Sequence, residues 1–365
     1  MTVRLFVPRW MDAMETNAQN SNARAILSRA SDVRARWTAL CLKQPCESIR
    51  RSGIDTLRTG TSRFWQWQLA FAYQSSFDAV FYPGPHWGDK LGLQMRKMTG
   101  RKTPVIATLE GLIASSDSLQ RLAVIFGHAV YAQPKTDDKV PRIRWLYESA
   151  DHIIAISPFL ARAGQALYGE KVSCVPLGID RRIFHAEARN EPARCRVVGC
   201  GTAKRSKNPQ AFLGLAARYK EADFVWFGGG PMLTELQQGT WKQRLNNLVF
   251  AGPIQPEKLA DEFRRSSVFV LPSHAEGVPK VTQEAAACGL PIILNGFFEA
   301  PTVTHGQNGL VAWSDDELSE HVGTLIRDPE TRHVMGKRGA AMARNWDWDK
   351  VAPVWEDKVI QLVSA

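Results

Sequence analysis

The sequence predicts an α/β fold of two domains, each formed by a parallel sheet covered with helices. Short apolar runs alternate with helical or irregular segments along the chain, which is the order typical of such sheets. Several runs are continuous, β-branched and aromatic, as expected of strands buried on both faces. A length of 365 residues exceeds what one hydrophobic core usually supports, so two domains of ordinary size are expected.

The first half of the chain contains six candidate strands and three candidate helices. The strands are predicted over residues 3–7, 38–42, 79–82, 105–108, 153–156 and 172–175. The helices are predicted over residues 21–30, 63–77 and 119–132. The last of these helices is amphipathic, and its periodicity does not decide whether the apolar face meets the core or a lipid acceptor.

A segment rich in proline, glycine and charged residues separates the two halves and suits an interdomain linker. We predict a first domain over residues 1–178, a linker over 179–192 and a second domain over 193–345. The second domain has predicted strands over 196–200, 224–227, 248–251, 268–271 and 292–294. Its helices are predicted over 208–219, 230–238, 255–266, 280–288, 317–327 and 330–343, and a final helix over 347–363.

The most informative segment is 268–294, where two carboxylates lie around the junction of a predicted strand, loop and helix. Glu276 falls in the loop, and Glu284 is expected in the first turn of the helix. Helical side chains tilt toward the helix N-terminus, so both acids can reach one ligand. A carboxylate accepts hydrogen bonds from the vicinal hydroxyls of a ribose or a sugar ring. The alternative is that Glu284 only complements the helix dipole while Glu276 is a solvated loop residue.

This segment resembles the sugar-donor signature of the retaining family-four glycosyltransferases of the GT-B fold. The likeness includes Pro272 and Ser273 after the strand, and Glu276 and Glu284 with seven residues between them. Further segments agree in order: VPLGID at 175–180, VVGCGTAKRSKNP at 197–209, FGGGP at 227–231, FAGP at 250–253 and GQNGLV at 306–311. The resemblance covers residues 157 to about 348 and is looser before them. It implies two Rossmann-like domains that face a central cleft, with a C-terminal helix in 346–365 that packs back on the first domain.

The resemblance also assigns roles to individual residues. Lys207 matches the family's phosphate-binding lysine, but the family's arginine about six residues earlier is replaced by Gly201 and Thr202. Lys204 or Arg205 is expected to supply the missing charge. The implied catalytic residues are Lys207, Glu276 and Arg205. The implied residues that bind the sugar donor are Lys204, Gly229, Ile254, Gly277, Val278, Lys280, Val281 and Glu284.

The implied reaction moves a sugar from a nucleotide diphosphate sugar to an acceptor hydroxyl, with retention of the anomeric configuration. Glu276 would hold the transferred sugar and Glu284 the ribose, while Lys207 and the helix N-terminus would stabilise charge on the leaving diphosphate. No cofactor is expected. No histidine pair or acidic triplet has ligand spacing, so a metal-independent site is expected.

Candidates for the acceptor side lie in the first half of the chain. Asn17 and Asn22 belong to a polar stretch that can contact sugar hydroxyls or cap a helix. Glu110 stands where similar enzymes often carry a histidine, and His86 follows the strand predicted at 79–82. We predict Asn17, His86 and Glu110 as acceptor-binding residues.

The charge distribution and composition limit which binding partners and which cellular compartment are expected. Residues 1–190 carry 26 Lys and Arg against 16 Asp and Glu, so the whole net charge of +10 lies there. The cluster Arg96, Lys97, Arg101 and Lys102 suits an anionic membrane or an acidic acceptor, and the alternatives are a solvated face or nucleic acid phosphates. A glycan or lipid-linked acceptor is the preferred partner, and nucleic acid is not expected. Because no signal-peptide pattern or membrane-spanning stretch is evident, we expect a cytoplasmic protein, peripheral on the inner membrane face.

Other functional classes remain as alternatives or are disfavoured. A catalytically silent protein that binds nucleotide sugars, or an epimerase or phosphorylase of the same fold, is compatible with the missing arginine and histidine. A nicotinamide dehydrogenase is disfavoured, because the glycines at 228–230 are not the spaced dinucleotide fingerprint. The six cysteines lack common zinc or redox spacing and are expected to be mostly buried thiols.

Overall fold

The structure is a computed structural model, and parts of the chain are described by it. These are residues 2–10, 18–30, 34–41, 49, 54–58, 77–85, 89–98, 100, 102–112, 114–128, 130, 140–187 and 192–364. The chain divides into two compact units. Unit 1 comprises Met1–Leu122, Lys135–Gly178 and Trp348–Ala365, and unit 2 comprises Ala123–Pro134 and Ile179–Asp347.

Unit 1 is built on a seven-stranded parallel sheet with the order β3-β2-β1-β4-β5-β6-β7. The strands are β1 (Val3–Trp10), β2 (Ala35–Cys41), β3 (Asp55–Arg58), β4 (Ala79–Tyr82), β5 (Val105–Leu109), β6 (His152–Ala155) and β7 (Val172–Cys174). The helices up to Gly178 are α1 (Ala18–Leu27), α2 (Asp89–Met98), α3 (Ser116–Phe126), α4 (Val140–Ser149) and α5 (Pro158–Tyr168). The end of α3 after Leu122 is assigned to unit 2. Helix α5 begins at Pro158, and the Ser157 side chain before it accepts a hydrogen bond from the Leu160 amide.

Unit 2 is built on a six-stranded parallel sheet with the order β10-β9-β8-β11-β12-β13. Its strands are β8 (Arg196–Cys200), β9 (Asp223–Phe227), β10 (Leu248–Gly252), β11 (Val268–Leu271), β12 (Ile292–Asn295) and β13 (Gly309–Ala312). Its helices are α6 (Pro209–Arg218), α7 (Leu233–Lys242), α8 (Pro256–Arg264), α9 (Lys280–Ala287), α10 (Asp315–Arg327) and α11 (Pro329–Met342).

Both faces of the second sheet are covered by apolar cores. On one face the buried Phe212 and Trp226 rings meet edge to face at 5.4 Å, and on the other Phe263 and Phe269 meet at 5.6 Å. The chain runs outward from β8 to β9 and β10, then returns to β11 on the other side of β8. This reversal is a topological switch point, and in open α/β sheets ligands bind beside it at the carboxyl ends of the strands.

The last helix, α12 (Trp348–Ser364), packs on unit 1. The buried Trp355 indole donates a hydrogen bond to the Pro176 carbonyl at 2.8 Å, and its ring meets Phe81 edge to face at 6.4 Å. Asp349 accepts from the Arg29 guanidinium at 2.5 Å. The end of the chain is therefore joined to unit 1 by apolar and ionic contacts.

The structure differs from several sequence-based boundaries. Strands β3 and β13 were not predicted, because β3 has the polar sequence DTLR and β13 was considered only as part of the family-like segment GQNGLV. Helix α3 begins three residues earlier than predicted, and it ends earlier because Gly127 after it takes a positive φ of 69°. Helix α7 begins three residues later than predicted, because the preceding glycines form a loop.

The predicted linker is not a free connection in its described part. Residues Ile179–Phe184 belong to unit 2, where Ile179 and Phe184 are buried in the core. Ile179 also pairs with Asp347 in a parallel bridge, and its amide donates to the Trp346 carbonyl at 2.7 Å. The predicted helix over 63–77 lies, apart from Phe77, outside the described residues.

Cys174, Cys195, Cys200 and Cys288 are free thiols, but they are not uniformly buried. Cys288 is buried in the core of unit 2, and Cys195 and Cys200 are half-buried. The expectation of a buried thiol is wrong for Cys174, which is exposed at the end of the edge strand β7. Across the described residues, each helix falls short of the length and apolarity that a bilayer span requires.

Candidate active site

The loops that follow three strands of unit 2 are hydrogen-bonded to one another at the carboxyl edge of its sheet. The Gly201 amide after β8 donates to the Phe227 carbonyl at 2.9 Å, and the Ala203 amide donates to Gly229 at 2.8 Å. The Gly228 amide after β9 donates to the Gly252 carbonyl at the end of β10 at 2.7 Å. These bonds hold the loops after β8, β9 and β10 in one surface.

The consecutive glycines after β9 are required by this close approach. A Cβ on Gly228 would lie 2.1 Å from the Gly201 carbonyl oxygen, and one on Gly230 would lie 2.6 Å from the Ala203 carbonyl oxygen. Between them, Gly229 lies against the Pro253 ring, in the loop that continues to the half-buried Ile254. The structure therefore places Gly229 against Pro253, the residue before Ile254, and gives a packing reason for Gly228 and Gly230.

Two of the predicted residues meet directly across the switch point. The ammonium of Lys207, in the loop after β8, donates to the carboxylate of Glu276, in the loop after β11. Their side chains are only 17% and 7% exposed, so little solvent screens the pair. The stem of Lys207 lies near Gly201, where a Cβ would be 3.5 Å from the lysine Cδ. The pair stands where the topology favours a ligand.

Lys204, rather than Arg205, shares the surroundings of this pair. Burial lowers the pKa of Lys204, the Lys207 charge lowers that pKa further, and the Glu276 charge opposes the shift. Lys204 is half-buried, whereas Arg205 is exposed. Of the two candidates for the missing family arginine, the geometry therefore favours Lys204.

Glu284 lies on α9 close to the same region. It is the fifth residue of the helix, so the expectation that it lies in the first turn is wrong. Burial raises the pKa of Glu284, and the ammonium of Lys280 four residues earlier opposes that shift. Burial raises the pKa of Cys200 at the end of β8 to about 12, Glu284 adds to this rise, and Lys207 counteracts it. Cys200 therefore lies within electrostatic range of both Glu284 and Lys207.

The loop that carries Glu276 is anchored to its neighbours. The buried Asn295 amide at the end of β12 donates to the Pro272 carbonyl at 2.9 Å. The Thr282 hydroxyl donates to the Pro279 carbonyl at 2.7 Å, at the start of α9. Between these anchors Gly277 is buried, and the half-buried residues are Val278, Lys280 and Val281. The predicted sugar-donor residues of this loop are thus brought together with Glu276 and Glu284.

Two further residues at this edge were not predicted. The His274 amide donates to the Ser206 carbonyl at 2.9 Å, and its ring Nε2 lies 3.1 Å from the Asn208 Nδ2. Asn208 directly follows Lys207, and His274 precedes Glu276 by two residues. Both residues lie close in sequence to predicted site residues, which could have marked them as candidates. Their contact joins residues 66 positions apart and was not evident from the sequence.

The acceptor candidates are only partly described by the structure. Asn17 and His86 lie outside the described residues. Glu110 directly follows β5 in unit 1 and accepts a hydrogen bond from the Asn22 amide at 2.9 Å. Asn22 lies inside α1 rather than at its cap and is 3% exposed. Glu110 is therefore held at the carboxyl edge of the first sheet by a buried amide.

Among the residues that the structure describes, His, Cys, Asp and Glu form no group of three or more arranged to hold a metal ion. Positive charge at the edge of unit 2 comes instead from the lysine side chains already described. They adjoin two carboxylates, Glu276 and Glu284. This arrangement offers cations for an anionic ligand and acids for its hydroxyls.

Two family profiles match consecutive parts of the chain. The profile described as glycosyl transferases group 1 matches residues 182–342, and the one described as glycosyltransferase family 4 matches residues 45–182. Together they extend over both units.

Curated relatives with known names are similar at low identity. An α-galactosylglucosyldiacylglycerol synthase of Streptococcus pneumoniae is 24% identical over 231 residues, which is 58% of this chain and 61% of the relative. A D-inositol 3-phosphate glycosyltransferase of Kribbella flavida is 27% identical over 275 residues, covering 64% of each protein. The sulfoquinovosyl transferase SQD2 of Arabidopsis thaliana is 24% identical over 56% of this chain and 44% of its own length. The matched part thus spans less than two thirds of each of these relatives.

Solved structures share the fold over almost the whole chain. A sucrose-phosphate synthase of Thermosynechococcus elongatus has a TM-score of 0.77 at 17% identity, with both chains fully covered. Anabaena HepE in complex with UDP-glucose has a TM-score of 0.72 at 15% identity, covering 98% of this chain and 99% of that one.

Proposed function

The chain belongs to the family-four glycosyltransferases of the GT-B fold, and on that premise we propose that it transfers a sugar from a nucleotide diphosphate sugar to an acceptor hydroxyl with retention. The observation that carries the proposal is the Lys207–Glu276 ion pair at the switch point of the second sheet. Lys204 and Glu284 share its surroundings. The HepE structure that shares the fold binds UDP-glucose, which supports a nucleotide sugar as the donor substrate.

The lysines act on the leaving group. As the bond between the anomeric carbon and the phosphate oxygen breaks, negative charge develops on the diphosphate. Lys207 and Lys204 lie where they can stabilise that charge, and preorganised cations in a poorly hydrated site lower the barrier most effectively. No metal ion or cofactor has a step in this reaction.

The carboxylates act on hydroxyls rather than on the breaking bond. Glu276 accepts hydrogen bonds from the transferred sugar, and Gly277 and Val278 add backbone amides beside it. Glu284 accepts from the ribose. The acceptor oxygen forms its bond to the anomeric carbon on the face that the diphosphate leaves, and its proton passes to the leaving phosphate oxygen. Retention follows from attack on that same face.

The acceptor is proposed to be lipid-linked or a glycan. The name of one relative, α-galactosylglucosyldiacylglycerol synthase, contains a glycolipid. The name of another, sulfoquinovosyl transferase, contains a sulfosugar. Glu110, held by Asn22 after β5, is the described residue proposed to contact the acceptor hydroxyl. Asn17 and His86 keep their proposed acceptor roles.

A basic surface of unit 1 is proposed to contact anionic membrane lipids. Lys97 and Lys102 are exposed and line a cavity of about 590 Å³ together with Trp145, and Met98 beside them is 85% exposed. Arg96 in the same cluster is already paired with Asp151 at 2.7 Å. Lys97 and Lys102 are therefore the described cations of this cluster that lipid phosphates would engage, with the protein peripheral on the cytoplasmic face.

The first experiment identifies the sugar donor that the protein binds. Screening UDP-, GDP- and ADP-sugars for thermal stabilisation identifies the nucleotide, because a ligand that binds the folded state raises the melting temperature. Transfer from that donor to vesicles containing diacylglycerol or a glycosyldiacylglycerol is then followed by NMR of the product's anomeric proton. A product with the anomeric configuration of the donor is expected. An inverted product would contradict retention, and no stabilisation by any nucleotide sugar would contradict the function.

A further inference from the structure

The two loops that carry Lys207 and Glu276 are joined by contacts outside the sheet. The register of β8 and β11 pairs Val197 with Val268 and Val198 with Phe269. Lys207 and Glu276 lie well beyond these pairs along their chains. The strand ladder therefore does not by itself fix the distance between the ammonium and the carboxylate.

His274 and Asn208 supply that link. The His274 amide donates to the Ser206 carbonyl at 2.9 Å, so the backbones of the two loops touch. The side chains of Asn208 and His274 meet at 3.1 Å between Nδ2 and Nε2. One partner directly follows Lys207 and the other precedes Glu276 by two residues.

The conformation of Asn208 points to a specific role for its side chain. It stands at the N-cap position of α6, where an asparagine usually accepts a hydrogen bond from the helix backbone. Here its side chain makes no capping bond, and its backbone is left-handed with φ 48° and ψ 49°. Asparagine tolerates this conformation better than most residues. The amide is directed across the switch point to His274 instead of to its own helix.

The hydrogen bond between these side chains has a defined direction. The Asn208 Nδ2 can only donate, so the His274 Nε2 is the acceptor in this contact. The ring is half-buried and lies 6.4 Å from the Phe297 ring after β12. The His274 ring therefore packs near an aromatic ring and is hydrogen-bonded to Asn208.

We propose that His274 is a positioning residue, and that the His274–Asn208 bridge holds Lys207 and Glu276 together as one site. The kinetic part of this inference rests on the proposed function, because it assumes that the ion pair binds the sugar donor. An error of about 1 Å in such positions can cost about 100-fold in rate, so a bridge that fixes two loops has a measurable effect on catalysis.

The first test needs no substrate. Urea unfolding of Lys207→Met, Glu276→Gln and the double variant gives the coupling between the two charges, both in the wild type and in the His274→Leu background. We expect a coupling of about tenfold in the unfolding constant in the wild type, falling below about twofold in the His274→Leu background. Equal coupling in both backgrounds would overturn the proposal.

The second test measures turnover of the nucleotide sugar with a matched set of variants. His274→Gln keeps an acceptor oxygen near the Nε2 position, whereas His274→Leu removes it. Asn208→Gly keeps the left-handed backbone and removes the amide. We expect His274→Leu and Asn208→Gly to lower kcat by about 10- to 100-fold and His274→Gln to stay within about threefold of wild type. His333→Leu, at an exposed histidine on α11, is the control and keeps wild-type turnover.

Non-additivity separates positioning from a general structural role. In the Lys207→Met background, His274→Leu should cost less than about twofold, because the group that it positions is already gone. Additive losses, or a His274→Gln variant as slow as His274→Leu, would overturn the proposal. If the wild type turns over no nucleotide sugar, the proposed function is at fault, and the unfolding measurement still decides whether the bridge holds the pair.

Discussion

At the scale of single residues, Lys207 and Glu276 depend on each other. Each is mostly shielded from solvent, and each offsets the other's charge. Removing one partner of a buried ion pair leaves an uncompensated charge, which usually costs more than the pair itself contributes. We propose that the ion pair separates when a sugar donor binds. The lysine then contacts the phosphates, and the carboxylate contacts the sugar hydroxyls.

The first prediction separates stability from function at this pair. Lys207→Met should lower the free energy of unfolding by about 2 kcal/mol, because Glu276 is left buried and unpaired. It should also lower kcat/KM by at least ~30-fold, through the lost contact with the diphosphate. Adding Glu276→Gln should restore most of the stability but none of the turnover. Urea unfolding and donor turnover measure the two effects.

Lys242→Met, at an exposed lysine at the end of α7, is the matched control for this prediction and should change neither quantity. Wild-type turnover in Lys207→Met would remove that lysine from the mechanism.

The second prediction concerns Glu284 and pH. Burial raises its pKa above the ordinary value of 4.5, so the folded state holds this proton up to a higher pH than the unfolded chain does. The stability that this carboxyl contributes is fully present below its unfolded pKa and is lost as the pH rises through the folded pKa. Glu284→Gln removes that dependence. The melting temperature of Glu284→Gln should therefore rise relative to that of the wild type as the pH increases above the ordinary pKa of 4.5, while its affinity for the nucleotide sugar falls.

A melting-temperature difference that stays constant as the pH rises would contradict the raised pKa of Glu284. Unchanged affinity for the sugar donor would contradict its ribose role.

At the scale of elements, the loops at the carboxyl edge of the second sheet act as one surface. Their backbones approach so closely at Gly228 that a side chain has no room. The glycine run is therefore explained by packing between loops, and a direct contact of Gly229 with the sugar donor is an additional proposal.

The third prediction tests this packing with two glycines of unit 2. Gly228→Ala should lower stability by about 1–3 kcal/mol and weaken donor binding, because its Cβ would overlap the Gly201 carbonyl. Gly214→Ala, inside α6 with nothing within 4 Å of the new Cβ, should instead be neutral or stabilise by about 0.5–1 kcal/mol. Urea unfolding of both variants measures the contrast. Equal effects of the two substitutions would contradict the close approach.

Apolar strands were predictable from the sequence, including the edge strands β7 and β10, whereas the polar edge strand β3 was not. Strand β11 was predicted with its observed bounds, because VFVL is apolar throughout and fully buried. Strand β3 escaped prediction because DTLR lies at the sheet edge, where polar side chains are tolerated. The motif-bearing residues Lys207, Glu276 and Glu284 could be named from the sequence, whereas the His274–Asn208 bridge depends on how two loops meet.

At the scale of the whole molecule, charge and chemistry are divided along the chain. The net charge of +10 arises from residues 1–190, whereas the described ion pair with its neighbouring acids belongs to unit 2. The chain passes from unit 1 to unit 2 after Gly178. The assignment of residues 123–134 to unit 2 was not predicted, because local sequence patterns do not report which distant residues a segment contacts.

The fourth prediction concerns membrane contact. Replacing both Lys97 and Lys102 with glutamate should weaken binding to anionic phosphatidylglycerol vesicles by at least ~30-fold, since each basic residue near such a surface contributes about 1 kcal/mol. The same double charge reversal at the exposed Lys337 and Arg338 of α11 is the control and should have little effect. Vesicle sedimentation at low and high salt measures the binding, and equal losses in both variants would contradict a specific membrane face.

The central claim is that Lys207, Glu276 and Glu284 surround a single nucleotide sugar. The most direct measurement is a crystal structure of the complex with the nucleotide sugar that stabilises the protein most. We predict the diphosphate within hydrogen-bond distance of the Lys207 ammonium, the sugar hydroxyls on Glu276 and the ribose on Glu284. A nucleotide sugar bound in the same crystal away from these three side chains would contradict the account.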